Sequence, residues 1–191
     1  MARYFVQHKT LHHAPAYEQE FMTCALYKPN RSHTYTVAFK GSHKPKNRKG
    51  SKLINPLLQT DKRHKITFKA TYPLEKNKDA YTQIQLLRLK PGEGKASYGA
   101  AIKQFLRYKT DDLEVKCWCT LYYTQNYASA IRLYVHSLRG GLNYPARYGG
   151  GLEIGIILRY RITKNLRISL EMTFDSGHQG ANVKLKLAYK G

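Results

Sequence analysis

The sequence predicts an all-β protein, an antiparallel up-and-down meander of about ten strands, whose alternation leaves open whether the apolar faces meet a protein core or the lipid around a membrane β-barrel or part of one. Three observations predict it. Segments near the C-terminus alternate apolar and polar residues with a period of two, turn-forming residues close each of them, and no segment holds a helical period over three turns. In 151–163 the even positions are Leu152, Ile154, Ile156, Leu158, Tyr160 and Ile162, while Glu153, Arg159 and Arg161 take odd ones. In 166–174 Leu166, Ile168, Leu170, Met172 and Phe174 alternate with Arg167, Ser169, Glu171 and Thr173. In 183–190 Val183, Leu185, Leu187 and Tyr189 alternate with Lys184, Lys186 and Lys190. Successive side chains of a strand point to opposite faces, so each segment has one apolar and one charged face.

Further strands are expected at 128–138, with Ile131, Leu133 and Val135 on one face, and at 113–123, where Cys117, Cys119 and Leu121 face away from Lys116, Trp118 and Thr120. Segments 98–108, 80–90, 65–72 and 32–40 follow, with weaker candidates at 20–28 and 2–8. All are rich in the Tyr, Ile and Val that pleated surfaces favour. Pro29-Asn30, Lys76-Asn77-Lys78-Asp79, Pro91-Gly92-Glu93-Gly94, Thr110-Asp111-Asp112 and Lys164-Asn165 supply the turns. Gly149-Gly150-Gly151 suits a tight re-entry into the sheet.

A membrane barrel should have short turns at one rim and long loops at the other. Counting back from the C-terminus, 175–181 is long, 163–165 tight, 139–150 long and 124–127 tight. The rhythm then breaks, with a tight 109–112 and a long 41–63. Sixteen tyrosines, including Tyr108, Tyr122, Tyr123, Tyr127, Tyr144, Tyr148, Tyr160 and Tyr189 near expected strand ends, fit the aromatic girdles of such barrels.

The 191 residues are expected to form one domain, with regular strands over 63–191 and a basic loop over 41–61. No apolar run approaches the ~20 residues of a membrane helix, and the first ten residues, interrupted by Arg3, Gln7, His8 and Lys9, do not read as a signal peptide. By itself that points to a non-exported, cytoplasmic protein if the chain is complete, and says nothing of location if it is a fragment. The net charge is +21. Lys44, Lys46, Arg48, Lys49 and Lys52 concentrate it in the basic loop, and with Arg159, Arg161 and Arg167 they are the candidate phosphate- or anion-binding residues. Cys24, Cys117 and Cys119 read as small apolar residues, since the last two are too splayed on one strand for an easy bridge.

Catalytic patterns are weak. His8, His12 and His13 lack a carboxylate or cysteine at metal-ligand spacing. Glu153 and Glu171 fall on neighbouring charged faces, where Arg159, Arg161 and Arg167 make structural ion pairs the better reading than acid–base chemistry. Pro91–Gly94 carries a faint helix-hairpin-helix pattern, but its flanks read as strands. No enzyme and no cofactor is expected.

From about residue 97 onward the chain resembles the C-terminal β-barrel region of Bacteroidota outer-membrane proteins that carry helix-hairpin-helix repeats near their N-terminus. The resemblance is carried by Tyr98-Gly99, Gln104, Tyr122–Tyr127, Ile131 with Leu133-Tyr134, Pro145–Gly151, Leu158–Ile162 and Ser176–Gln179. It implies an outer-membrane location and a truncated or divergent copy, since the repeats themselves are missing. Two functions are then expected. The first is a non-enzymatic outer-membrane barrel, in contact with lipid and lipopolysaccharide, with a basic lumen and loops that take anions. The alternative is a soluble nucleic-acid-binding protein that uses the 40–52 basic loop with exposed tyrosines such as Tyr122 and Tyr134.

Overall fold

The structure, a computed structural model, describes residues 19–47, 58–92, 94–138, 144–177 and 180–189. It is all-β. Nine strands form one antiparallel sheet in which every neighbour in the sheet is the next wall strand in the chain: β1 (Gln19–Tyr27), β2 (Thr34–Asn47), β3 (Leu58–Glu75), β4 (Lys78–Lys90), β5 (Ser97–Lys109), β6 (Leu113–Thr124), β9 (Gly150–Arg161), β10 (Leu166–Asp175) and β11 (Gly180–Tyr189). Between β6 and β9 a 3₁₀ turn (Tyr127–Ser129) leads to a two-residue ladder of β7 (Ile131–Arg132) with β8 (Ala146–Arg147). Within the described residues β1 and β11 are the two edges, and no pairing joins them.

The meander is the expected one, with two corrections. Residues 128–138 do not form a wall strand: only Ile131 and Arg132 pair, and they pair with β8. β6 instead hydrogen-bonds directly to β9, with Trp118 opposite Gly155 and Thr120 opposite Glu153. This restores the loop rhythm. The links at 28–33, 76–77, 110–112 and 162–165 lie at one rim, and the strand ends at Asn47 and Leu58, Lys90 and Ser97, Thr124 and Gly150, and Asp175 and Gly180 lie at the other. The second correction concerns the basic loop, because 41–47 and 58–61 are strand, paired from Gly41–His64 to Asn47–Leu58. The turns of the tight rim bond to one another as well: Lys109 N donates to Asn77 O at 3.0 Å and Arg161 N to Asp112 O at 2.8 Å.

One face of the sheet is apolar and exposed. It presents Ile84, Leu86, Ile102, Leu106, Leu121, Ile154, Ile168, Met172, Val183, Leu185 and Leu187, with Leu185 74% exposed. The other face is polar and covered: Gln85, Lys103, Thr120, Thr124, Glu153, Ser169 and Glu171 are buried, Lys103 to 1% exposure. The usual order of a protein in water is reversed. Two small apolar clusters lie inside, Phe105, Trp118, Val135, Leu138 and Ile157 in one, and Ala101, Tyr122, Ile131 and Leu133 in the other.

Candidate functional site

The site is the covered face together with the segment between β6 and β9. Asn126 starts that segment with a capping box: Ser129 N donates to Asn126 Oδ1 at 3.0 Å, and Asn126 N to Ser129 Oγ at 3.4 Å. The turn sends the chain inward. Side chains then alternate as in any extended segment. Ile131 and Leu133 pack on Ala101 and Tyr122, and Val135 packs on Phe105 and Trp118. Arg132 and Tyr134 point the other way, into a cavity shared with Met22 of β1, Lys40 of β2 and Lys65 of β3. Strands of one sheet thus lie on both sides of the segment, so the sheet curls around it. Gly99 permits the close approach, since a Cβ there would meet the Ser129 carbonyl oxygen at 2.6 Å.

Polar locks hold the segment. Trp118 Nε1 donates to Glu153 Oε1 at 2.7 Å, and Arg147, almost wholly buried, forms an ion pair with Glu153 Oε2. Gly155 lies opposite Trp118, and any side chain there would strike the indole ring. Leu138 N donates to Glu171 Oε2 at 2.7 Å and Ser137 Oγ to the same atom at 3.1 Å, while Lys184 Nζ reaches Oε1 at 2.7 Å. Lys103 Nζ donates to Tyr134 O at 2.6 Å, and Arg63 Nη2 to Ala130 O at 3.3 Å. The segment rejoins the sheet at Gly149, where φ is +75°. There Gly149 N donates to Thr124 Oγ1 at 2.9 Å and Thr124 N to Gly149 O at 2.7 Å.

His136 sits among rings, 4.4 Å from Phe105, 4.7 Å from Tyr134 and 5.9 Å from Trp118 between centroids. Burial first, then the charges of Lys103, Lys116, Lys69 and Arg159, pull its pKa down to about 4, so it is neutral at pH 7.

The anion candidates separate. Arg159, Arg161 and Arg167 come together at the tight rim, where with Arg107 and Lys116 they line a cavity of about 390 Å³. Glu114 lines it too and accepts from Arg107 Nη2 at 3.0 Å, Arg159 Nη1 at 2.9 Å and Lys116 Nζ at 3.3 Å. Lys44 and Lys46 belong to β2 at the far end of the sheet. Arg48, Lys49 and Lys52 lie outside the described residues, as do His8, His12 and His13.

Several expectations are revised. Tyr122 is buried at 2% exposure and donates to Asp175 Oδ1 at 2.7 Å, and Tyr134 is half-buried against His136, so neither offers a free stacking face. Glu153 and Glu171 are not opposite one another; the register sets Asp175 against Glu153 and Ile157 against Glu171. Their partners are Arg147 and Lys184, and the arginines named from sequence pair elsewhere or line the rim. Sequence reasoning missed Arg147, Lys103 and Arg132. For the first two the available signal was a lone cation within an otherwise apolar or aromatic neighbourhood.

The chain matches no protein-family model and no curated protein. The solved structure of the NanC porin in a rhombohedral crystal form is similar over 92% of this chain and 94% of its own length, with 12% identity and a TM-score of 0.42.

Proposed function

We propose that the chain is a non-enzymatic outer-membrane β-barrel protein, or part of one, whose apolar face meets lipid and whose cationic concave face admits anions. The observation that carries this reading is the reversed polarity of the sheet. A continuous band of outward Leu, Ile, Val and Met would be a large unsatisfied patch in water, whereas in a bilayer it is the expected surface. Strand length agrees, since β5, β6, β9, β10 and β11 have 13, 12, 12, 10 and 10 residues and a tilted spanning strand needs about 9–11.

Outward tyrosines bracket the band. Tyr27, Tyr108, Tyr160 and Tyr189 are exposed at the tight rim, and Tyr98 and Tyr123 at the other. Tyr98 and Tyr108 are separated by most of β5, roughly 33 Å of strand, or about 25 Å of height at a ~40° tilt, which is the height of such apolar bands. Lipopolysaccharide phosphates are the natural partners of basic residues at the long-loop rim. The nucleic-acid reading loses support with the burial of Tyr122.

The test is behavioural. The purified protein should need detergent and should migrate differently on a gel before and after boiling. A monodisperse, folded monomer in plain buffer would sink the proposal.

A further inference from the structure

The concave face under β1–β4 carries positive charge that the protein leaves largely unanswered. Lys40 and Lys65 are directly opposite in the β2–β3 ladder, and Ser42 and Arg63 are the next inward pair. Like charges directly opposite on one face repel. Arg132, from the inner segment, closes over the same space, and Lys40, Lys44, Arg63, Lys65 and Arg132 with Glu20, Ser42 and Gln85 line a cavity of about 200 Å³. Glu20 pairs with Lys40. Among the described residues, Arg63, Lys65 and Arg132 have no carboxylate within ion-pair distance. At the tight rim, by contrast, Glu114 sits between Arg107, Lys116 and Arg159.

This space opens into the wider cavity of about 630 Å³, whose walls include Tyr81, Tyr134, Tyr144, Thr67 and Gln83. That volume suits a small molecule. Beside Lys40, Lys65, Lys69 and Arg132, the lining offers Thr67, Gln83, Gln85 and Tyr144, so it fits a hydroxylated body attached to an anionic group: the amides and hydroxyls offer hydrogen bonds.

We infer that the cavity between the inner segment and β1–β4 is a binding site for a small phosphate monoester, with the phosphate held by Lys40, Arg63, Lys65 and Arg132 and the hydroxylated body lying beside Thr67, Gln83 and Tyr144. Against Arg63, Lys65 and Arg132 the cavity sets the one carboxylate of Glu20, already paired with Lys40, and the remaining surplus calls for more than one negative charge, which a monocarboxylate lacks and a phosphate dianion supplies. Two of the cations are guanidinium groups, whose planar forks match phosphate oxygens. The inference rests on the proposed reading of the concave face as a lumen open to solutes.

Calorimetric titration of the purified chain, in detergent micelles at constant ionic strength, tests it with glycerol 3-phosphate, inorganic phosphate and gluconate. Both phosphates are expected to bind, with gluconate about tenfold weaker or worse. Arg63→Gln with Lys65→Gln should weaken glycerol 3-phosphate by tenfold or more, and Arg161→Gln with Arg167→Gln at the other rim should change it less than about twofold. Equal binding of gluconate and phosphate, or equal losses from the two double variants, would overturn the site. The boiling-dependent gel shift confirms that each variant is folded before titration. A protein with that shift and no phosphate binding refutes the site alone. Phosphate binding by a protein that stays monomeric in plain buffer refutes the barrel and leaves the site.

Discussion

The two halves of the concave face are built from the same alternating strands and meet opposite fates. Under β5–β10 the inward positions include Glu153 and Glu171, and the segment from β6 to β9 lies against them. Under β1–β4 they include Glu20, Lys40, Arg63, Lys65 and Lys69, and beside the Arg63–Ala130 contact a cavity remains between them and the segment. Apolar matter is not the whole distinction, because Leu87 and Leu89 of β4 are buried too. What differs is the acceptors. A segment entering a covered space brings backbone N–H groups and an arginine that must be satisfied, and the carboxylates that can satisfy them are on β9 and β10. Glu153 and Glu171 are thus the carboxylates that receive the segment, whereas Glu20 in the open half is already paired with Lys40.

The largest expected effect breaks that filled half. Glu153→Gln leaves Arg147 charged, buried and without its counter-ion, which costs about 3–5 kcal/mol. The temperature at which the boiling-dependent gel shift is lost should fall, and backbone amides of 131–138 should exchange faster. Unchanged exchange would show that Arg147 does not hold the segment. Glu171→Gln removes the charge from the acceptor of Leu138 N and Ser137 Oγ and from the partner of Lys184, worth about 1.5–3 kcal/mol. Its exchange effect should centre on 137–138, and an effect centred on 146–148 would contradict the assigned contact.

Gly99→Ala tests the closeness of the fit. The added methyl meets the Ser129 carbonyl, and such overpacking costs about 1–3 kcal/mol. Stability should drop with β5–β6 pairing retained, whereas a neutral outcome would mean that the segment shifts freely.

The smallest effect is acidic loosening at His136. Its folded pKa of about 4 lies below the ordinary 6.5. Between those values the unfolded chain binds a proton that the folded chain does not, so stability falls as pH drops through the window. His136→Phe should remove that part of the acid sensitivity. A His136 ring that titrates at its ordinary pKa by NMR would refute the buried placement.

Much of the wall was legible because strand alternation is a local property. The apolar stripes of β9, β10 and β11 follow from residue order, as do the turns at Asn77, Asp111-Asp112 and Lys164-Asn165. Residues 128–138 misled for the same reason. Ile131, Leu133 and Val135 alternate as a wall strand does, and the period of two reports only that alternate side chains share a side. It does not say whether the backbone bonds to a neighbouring strand or stands alone inside a curled one. That single misplacement also broke the loop rhythm.

The candidate site was less legible. Arg159 and Glu171 were visible as charges on strands, but Arg147 could find Glu153 only after the segment had turned back on itself. Lys40 and Lys65 became neighbours only through the β2–β3 register. By itself the sequence determined an all-β meander with one apolar and one charged face per strand, because that depends on neighbours one and two residues away. Tertiary structure alone decided that the apolar face points outward, which carboxylates receive the inner segment, and where cations gather unopposed. Those outcomes depend on curvature and register, which bring together residues far apart in the chain.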